Sequence, residues 1–459
     1  MLELEQIMMS LAPALGANVG IIEQIIKGIY CISSGGVTMK NIARWTDKGC
    51  SYRSIQRFYK VPIDWFQLNL LLLKSLIVDT PSKNEQVLAF DEVVEKKAGK
   101  CTFGVDWFYS SIAGHVIRSV SNHVVSLIDT KKEKSFVLTH RQTVKPKKTS
   151  KSKKGKKANS TSNKQKKESV AKRKAGRPKG SKNKQNIKKA GLLYESFEAL
   201  LSMVVPLVKL ICPELQYVLA DGAYGNKTCC LIVAQFDLDL ISKLNRNTGL
   251  YLSYEGKYGG RGRPKKYGKK LDYQKLPNDY LVSQQEEDGM CTKVYQVKGI
   301  WTKKMPALIN VVIIIKLDLA SKKAARVVLF STDLTLEAEQ LIRFYSLRFQ
   351  IEFNFRDAKQ YFGLADFKNI KPVQVNNAVG LSLFMDNISI ILLQTAKKEW
   401  EEENLSIQDL KAYFRAHKYL KYILNTLKID PEDILNRPQM QNIMKLGAIN
   451  RTDFDKIAT

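Results

Sequence analysis

The sequence predicts an α/β fold with helical segments at both ends. Its first 80 or so residues carry helical spacing, short β-branched runs begin near Glu85, and those runs then alternate with amphipathic helices. At 459 residues and 44% apolar content, the chain has material for a real core and length for two or three domains.

Residues 1–84 read as a helical domain. Thr38-Met-Lys-Asn-Ile-Ala-Arg-Trp45 makes a short amphipathic helix and Thr46-Asp-Lys-Gly49-Cys50 a turn. Ser51 can then N-cap a second helix carrying Arg53, Gln56 and Arg57 on its outer side. Helix, glycine turn and a basic second helix form the pattern of a helix-turn-helix DNA reader, with Arg53 and Arg57 as contacts. An ordinary helical hairpin fits the same residues.

From Glu85 the texture becomes that of strands. Gln86-Val-Leu-Ala-Phe90-Asp91, Thr102–Ser110 and His123–Asp129 come first, with Lys134–Thr143 as an optional further edge outside these three, followed by an amphipathic helix over Gly191–Ile211. A strand Leu215–Ala220 runs into Asp221-Gly-Ala-Tyr-Gly225, then a helix Asn226–Phe236 and a strand Leu238–Leu244. Three strands, helix, strand, helix, strand is the order of a ribonuclease H-like core, spanning 85–370 here. Acids close the first and fourth expected strands, and strand ends are where such a sheet presents ligands.

Two insertions interrupt that core. The first, 145–189, holds twenty Lys/Arg against one acid, Glu168, and almost no large apolar residue. Such a stretch cannot bury enough to fold and is expected to be a disordered basic loop. Within it Gly176-Arg177-Pro-Lys resembles an AT-hook, whose flat Arg-Pro core enters a narrow A·T minor groove. The second insertion, 245–308, is expected to be a β-rich subdomain. It interleaves tyrosines with cations and repeats the motif as Gly262-Arg263-Pro-Lys-Lys-Tyr267. That interleaving suits contact with DNA, although a small β subdomain would also use its tyrosines structurally.

After strands at Ala307–Leu317 and Ala325–Ser331, a single helix is expected over Thr335–Lys359, N-capped by Thr335. At 100° per residue, Tyr345, Arg348, Glu352 and Lys359 fall within about 60° of one another, and Arg356 joins them. Phe344, Leu347, Ile351, Phe355 and Ala358 form an adjoining apolar face for packing on a sheet. Residues 371–459 read as a helical C-terminal region, beginning with a long apolar helix over Val373–Lys397.

Three acids then draw attention: Asp91, Asp221 and Glu352. Carboxylates suit Mg²⁺ or Mn²⁺, and two such ions can support in-line displacement at phosphorus. Asp106 and Asp129 look as plausible locally; fold order and the charged helix face choose between them. The stripe itself, Tyr345, two residues, Arg348, three residues, Glu352, six residues, Lys359, resembles the Tyr-Arg-Glu-Lys signature of bacterial insertion-sequence DDE transposases, the IS-four-like family. Asp91 followed by Lys96-Lys97-Ala-Gly99 resembles that family's first catalytic block, and Asp221-Gly-Ala-Tyr-Gly its second. The resemblance implies Asp91, Asp221 and Glu352 as metal-binding catalytic residues. It implies Tyr345, Arg348 and Lys359 as contacts to the transposon-end backbone, and Arg356 is added as a phosphate contact on the same face. In some relatives a tryptophan of the insertion stacks on a flipped base; Trp301 is the tryptophan available here, with a core role as its plainer reading.

Composition agrees with a polyanion partner. The net charge is +30, and the stretch 145–189 accounts for most of it, leaving the remainder basic by about ten charges. No signal peptide, no convincing membrane span and no zinc-type cysteine spacing are evident, and seven scattered cysteines fit a reducing interior. The expected protein is a cytoplasmic, nucleoid-associated transposase using Mg²⁺ or Mn²⁺. It would act as a dimer or larger synaptic complex on terminal inverted repeats and target DNA. Alternatives are a ribonuclease H-like nuclease or resolvase without strand transfer, and a noncatalytic DNA-binding protein.

Overall fold

The computed structural model describes residues 4–47, 49–77, 86–146, 191–258, 260 and 264–450. Most of the expected basic loop, with Arg177, lies outside these residues, as does Arg263.

The helical start comprises α1 (Leu4–Leu15), α2 (Val19–Cys31), α3 (Met39–Trp45), α4 (Tyr52–Phe58) and α5 (Trp65–Ile77). Side-chain caps set where the short pair begins. Thr38 accepts from Asn41 N at 3.2 Å and Ser51 from Ser54 N at 3.3 Å, satisfying amide groups that a helix start leaves free. Ile55 and Phe58 bury α4, while Arg53 and Arg57 are exposed.

Next come β1 (Gln86–Lys96), β2 (Asp106–Ser110), β3 (His115–Asp129), β4 (Lys134–Thr143), α6 (Leu192–Lys209), β5 (Tyr217–Ala220), α7 (Lys227–Ala234) and β6 (Asp239–Leu244). β3 lies antiparallel between β1 and β4, and on its other side β1 runs parallel to β5, which runs parallel to β6. The core order is therefore β4-β3-β1-β5-β6, with the short β2 continuing the β4 edge of β3. This is the arrangement expected of a ribonuclease H-like core.

The second insertion is not a separate sheet. It supplies β7 (Leu250–Ser253), β8 (Tyr267–Lys270), β9 (Leu281–Glu287) and β10 (Met290–Thr302), followed by β11 (Ile309–Asp318) and β12 (Ala324–Ser331). β12 pairs antiparallel with β6, and β11 and β10 follow outward, so among the described residues the sheet runs continuously to twelve strands. The apolar run Ile309–Ile313 is buried, as an interior strand of such a sheet requires. Trp301 is half-buried, edge-on to Tyr267 and beneath Lys266 at 5.0 Å.

The expected single helix over 335–359 is two: α8 (Ala338–Leu347) and α9 (Gln350–Tyr361). Between them the backbone tightens. Arg348 N, Phe349 N, Ile351 N and Glu352 N donate to carbonyls three residues back, not four. Thr335 does not cap α8. Asp333 accepts from both its amide and its hydroxyl, at 2.8 and 2.7 Å, so the chain turns there and the helix starts two residues later, after Glu337.

The chain closes with α10 (Pro372–Trp400), α11 (Ile407–Thr426), α12 (Pro431–Leu435) and α13 (Pro438–Lys445). By length and composition Leu4–Cys31 and Pro372–Trp400 could each cross a membrane; 78% of the apolar window in the second is buried within the fold. The polar interruptions in α10 have partners that explain them. Asn387 accepts from Val137 N at 2.9 Å and donates to Val137 O at 2.7 Å, sealing the outer edge of β4. Asn69 of α5 and Asn354 of α9 donate to Leu138 O and Ser135 O on the same strand, each at 3.0 Å. Asp386 accepts from Asn354 at 2.7 Å, and burial pushes its carboxyl well above the carboxylate range.

Candidate active site

β1 carries the first acid past the point where its parallel neighbour stops. The pairing of β1 with β5 ends at Phe90↔Ala220, so the next step in the same register sets Asp91 beside Asp221. Neighbouring strands lie about 4.8 Å apart and paired residues face the same way, which brings two carboxyl-bearing positions together. Contrary to the expectation that Asp91 closes its strand, β1 continues to Lys96 because β3 keeps pairing with it to Ser119. Asp221 begins a 3-10 turn, Gly222–Tyr224, and Ser242 Oγ donates to its carbonyl at 2.9 Å. The turn passes so close to β6 that a Cβ on Gly225 would lie 2.5 Å from the Lys243 carbonyl.

Glu352 reaches the pair through Arg348. The guanidinium donates from Nη1 to Asp91 Oδ2 at 2.8 Å and from Nη2 to Glu352 Oε1 at 3.0 Å. Its side chain is 8% exposed, against 18% for Asp91 and 44% for Glu352. Burial, opposed by Arg348 but reinforced by the charges of Asp221 and Glu352, raises the Asp91 carboxyl to about 6. Tyr345 lies alongside. Burial lifts its phenol above the usual value, Arg348 opposes that rise, and Asp221 and Asp91 add to it. The site therefore gathers three acids, one guanidinium and one phenol.

Lys359 sits further along the same helix, paired with Glu95 Oε1 at 2.6 Å. Arg356 turns to the other flank. It bonds Asp357 Oδ1 at 2.9 Å, lies over the Phe353 ring at 4.8 Å, and lines a cleft with Lys132, Lys134 and Asp386. Arg53 and Arg57 stand on α4, away from this cluster in the chain's helical start.

The two competing acids have local jobs. Asp106 opens β2 and accepts from Trp107 N at 2.6 Å; Asp129 accepts from Lys131 N and Lys132 N at 2.9 Å in the β3–β4 turn. Sequence reasoning missed Glu95. Its signal was available: it follows Asp91 by four residues, and even spacing places both on one face of a strand.

The residues fit a divalent cation by chemistry. They offer hard oxygen donors, two of which, on Asp91 and Asp221, come from adjacent strand positions where β5 ends. Among the described residues no three such donors form a ready cage, because the Arg348 guanidinium stands between Asp91 and Glu352.

Comparison with known proteins agrees with this geometry. Residues 22–302 match the family described as DDE superfamily endonuclease, a span that includes Asp91 and Asp221 and ends before Glu352. No curated protein matches. Among solved structures, a piggyBac transposase synaptic complex with hairpin DNA is similar at 9% identity, with a TM-score of 0.39 over 92% of this chain and 76% of that one. A likeness of that degree leaves the assignment resting on the family match. With its two strand acids side by side inside the matched span, the chain belongs to the DDE superfamily endonucleases.

Proposed function

We propose that the protein is a transposase of the insertion-sequence type, which binds the terminal inverted repeats of its element, cleaves them and joins the ends to target DNA. One observation carries this reading: Asp91 and Asp221 meet at the point where β5 ends, and Arg348 joins Glu352 to them. The resemblance of Tyr345, Arg348, Glu352 and Lys359 to the transposase signature supports the finer step from endonuclease to transposase.

Asp91, Asp221 and Glu352 would hold Mg²⁺ or Mn²⁺, in a pair of ions if both positions fill. Such ions supply Lewis acidity at phosphorus and an activated hydroxyl or water. The chain's own groups do the rest. Arg348 presents a planar fork that matches a phosphate, Tyr345 a phenolic donor, and Lys359 a point charge; together they would fix the scissile phosphate in line. Arg348 is the counter-ion of the acids in the DNA-free protein, so it would exchange carboxylate for phosphate as a DNA end arrives. Arg53 and Arg57 on α4 would add contacts that position the repeat, and Arg177, Arg263 and Arg356 further phosphate contacts. Two ends must be held for joining, which calls for a dimer or larger assembly, working on DNA in the bacterial cytoplasm.

The test is incubation with Mg²⁺, DNA bearing the element's ends and a target plasmid, scored for joined products. Joined ends support the transposase. Cleavage without joining would reduce the protein to a nuclease, and binding without either would exclude catalysis.

A further inference from the structure

Beyond the four signature positions, β1 and α9 are tied at a second point. Side chains on β1 alternate, so Asp91, Val93 and Glu95 share the face that α9 covers. Four strand residues separate Asp91 from Glu95, about 13 Å at 3.3 Å each. On α9, seven residues separate Glu352 from Lys359, about 10 Å of rise. Arg348 bridges helix and strand at one end, and the Lys359–Glu95 ion pair bridges them at the other.

The second bridge is unequal in burial. The Glu95 side chain is 8% exposed and that of Lys359 29%, so the acid forms a floor under an ammonium that keeps an outward side. Glu95 Oε1 receives charge but no aligned hydrogen bond from this contact. The floor is itself braced. Lys97, two residues on along β1, interacts electrostatically with Glu95 and Asp366, donates to Ala365 O at 2.8 Å, and lies 3.5 Å above the Phe367 ring.

We propose that Glu95 is a positioning residue, which by charge holds Lys359 Nζ at a fixed offset from Asp91 so that its outward N–H groups meet a DNA phosphate. A lysine ammonium has three donors on a flexible stem, and unaided it would have to be ordered on each encounter. Glu95 takes one side of it in advance, and the cost of fixing the rotamer is met during folding. The role rests on the proposed transposase reading, since it presupposes a phosphate above Lys359.

Full-length Glu95→Gln, Lys359→Ala and the double variant give the test. Duplex-end binding by Glu95→Gln should stay within about twofold of wild type, while single-turnover cleavage slows about tenfold. The double variant should cleave no more slowly than Lys359→Ala alone, because the effect of Glu95 passes through that lysine. Independently of any activity, acylation footprinting should show Lys359 labelled several-fold faster in Glu95→Gln, with Lys134 and Lys303 unchanged as internal references. If Glu95→Gln does not fold, Glu95→Asp, which withdraws the carboxylate by one methylene, should show the same cleavage and labelling pattern. Additive losses, wild-type cleavage by Glu95→Gln, or unchanged Lys359 labelling would overturn the proposal. Absence of cleavage by the wild type would instead reject the transposase reading, and the labelling would still report the Glu95–Lys359 contact.

Discussion

Arg348 and Asp91 lie 257 positions apart in sequence and 2.8 Å apart in space, and Glu352 holds the other arm of the same guanidinium. This bridge fixes where α9 crosses β1. It also explains how three carboxyl groups can face one another in a DNA-free protein, where their mutual repulsion would otherwise oppose folding.

Removal of that counter-ion should therefore cost stability. Breaking a buried pair by deleting one partner typically costs about 3–5 kcal/mol, and the half-exposed Glu352 arm contributes little of it. Arg348→Met should show a loss near the low end of that range in urea unfolding, partly restored by millimolar Mg²⁺. Unchanged stability with no response to Mg²⁺ would mean that the acids do not need the guanidinium.

The helical start is joined to the core by close packing. A Cβ on Gly380 of α10 would lie 2.3–2.5 Å from the Trp65 indole, whose Nε1 donates to Asn377 at 3.1 Å. Gly380→Ala should displace that ring and destabilise by about 1–3 kcal/mol, as overpacked cores do. A red shift of tryptophan emission together with the lost stability is the expected signature; an unshifted spectrum would contradict it.

Acid should weaken the fold through buried histidine. Burial pushes His140 down to about 4 from its ordinary 6.5, and partial burial with the charges of Lys421 and Lys27 pushes the half-buried His417 likewise to about 4. As pH falls, the unfolded chain takes up these protons first. The stability they leave intact above 6.5 is thus lost progressively between 6.5 and about 4, by up to about 1.4 kcal/mol per pH unit for each group. Urea midpoints at pH 7 and pH 5 should differ less in His140→Gln than in wild type. Equal pH dependence in the two would show that His140 is not the source.

The chain order of strands and helices, the acids Asp91 and Asp221 as residues following strand-like runs, and the Ser51 cap were legible because each depends on local pattern or on a short-range hydrogen bond. The break between α8 and α9 was not. Every residue from Ala338 to Tyr361 is compatible with helix, and the tightened turn holds the Arg348 guanidinium against Asp91, 257 positions away, which no local propensity reports. Asn387 read as a flaw in an apolar helix because its partner, the open edge of β4, exists only in the folded sheet. Thr335 looked like a cap until Asp333, two residues earlier, took its hydroxyl. Glu95 was passed over since a lone acid on a strand has many ordinary explanations, and only the approach of Lys359 distinguishes it.

Of the three acids proposed to form one catalytic site, Asp91, Asp221 and Glu352, Glu352 lies outside the matched family span. The most direct measurement is therefore strand cleavage by purified Glu352→Ala on DNA carrying the element's ends, beside its affinity for the same DNA. Cleavage should fall by about 10³-fold or more, in the range for loss of a group acting in the transition state, with end binding within a few-fold of wild type. Cleavage by Glu352→Ala at the wild-type rate would contradict the three-acid site.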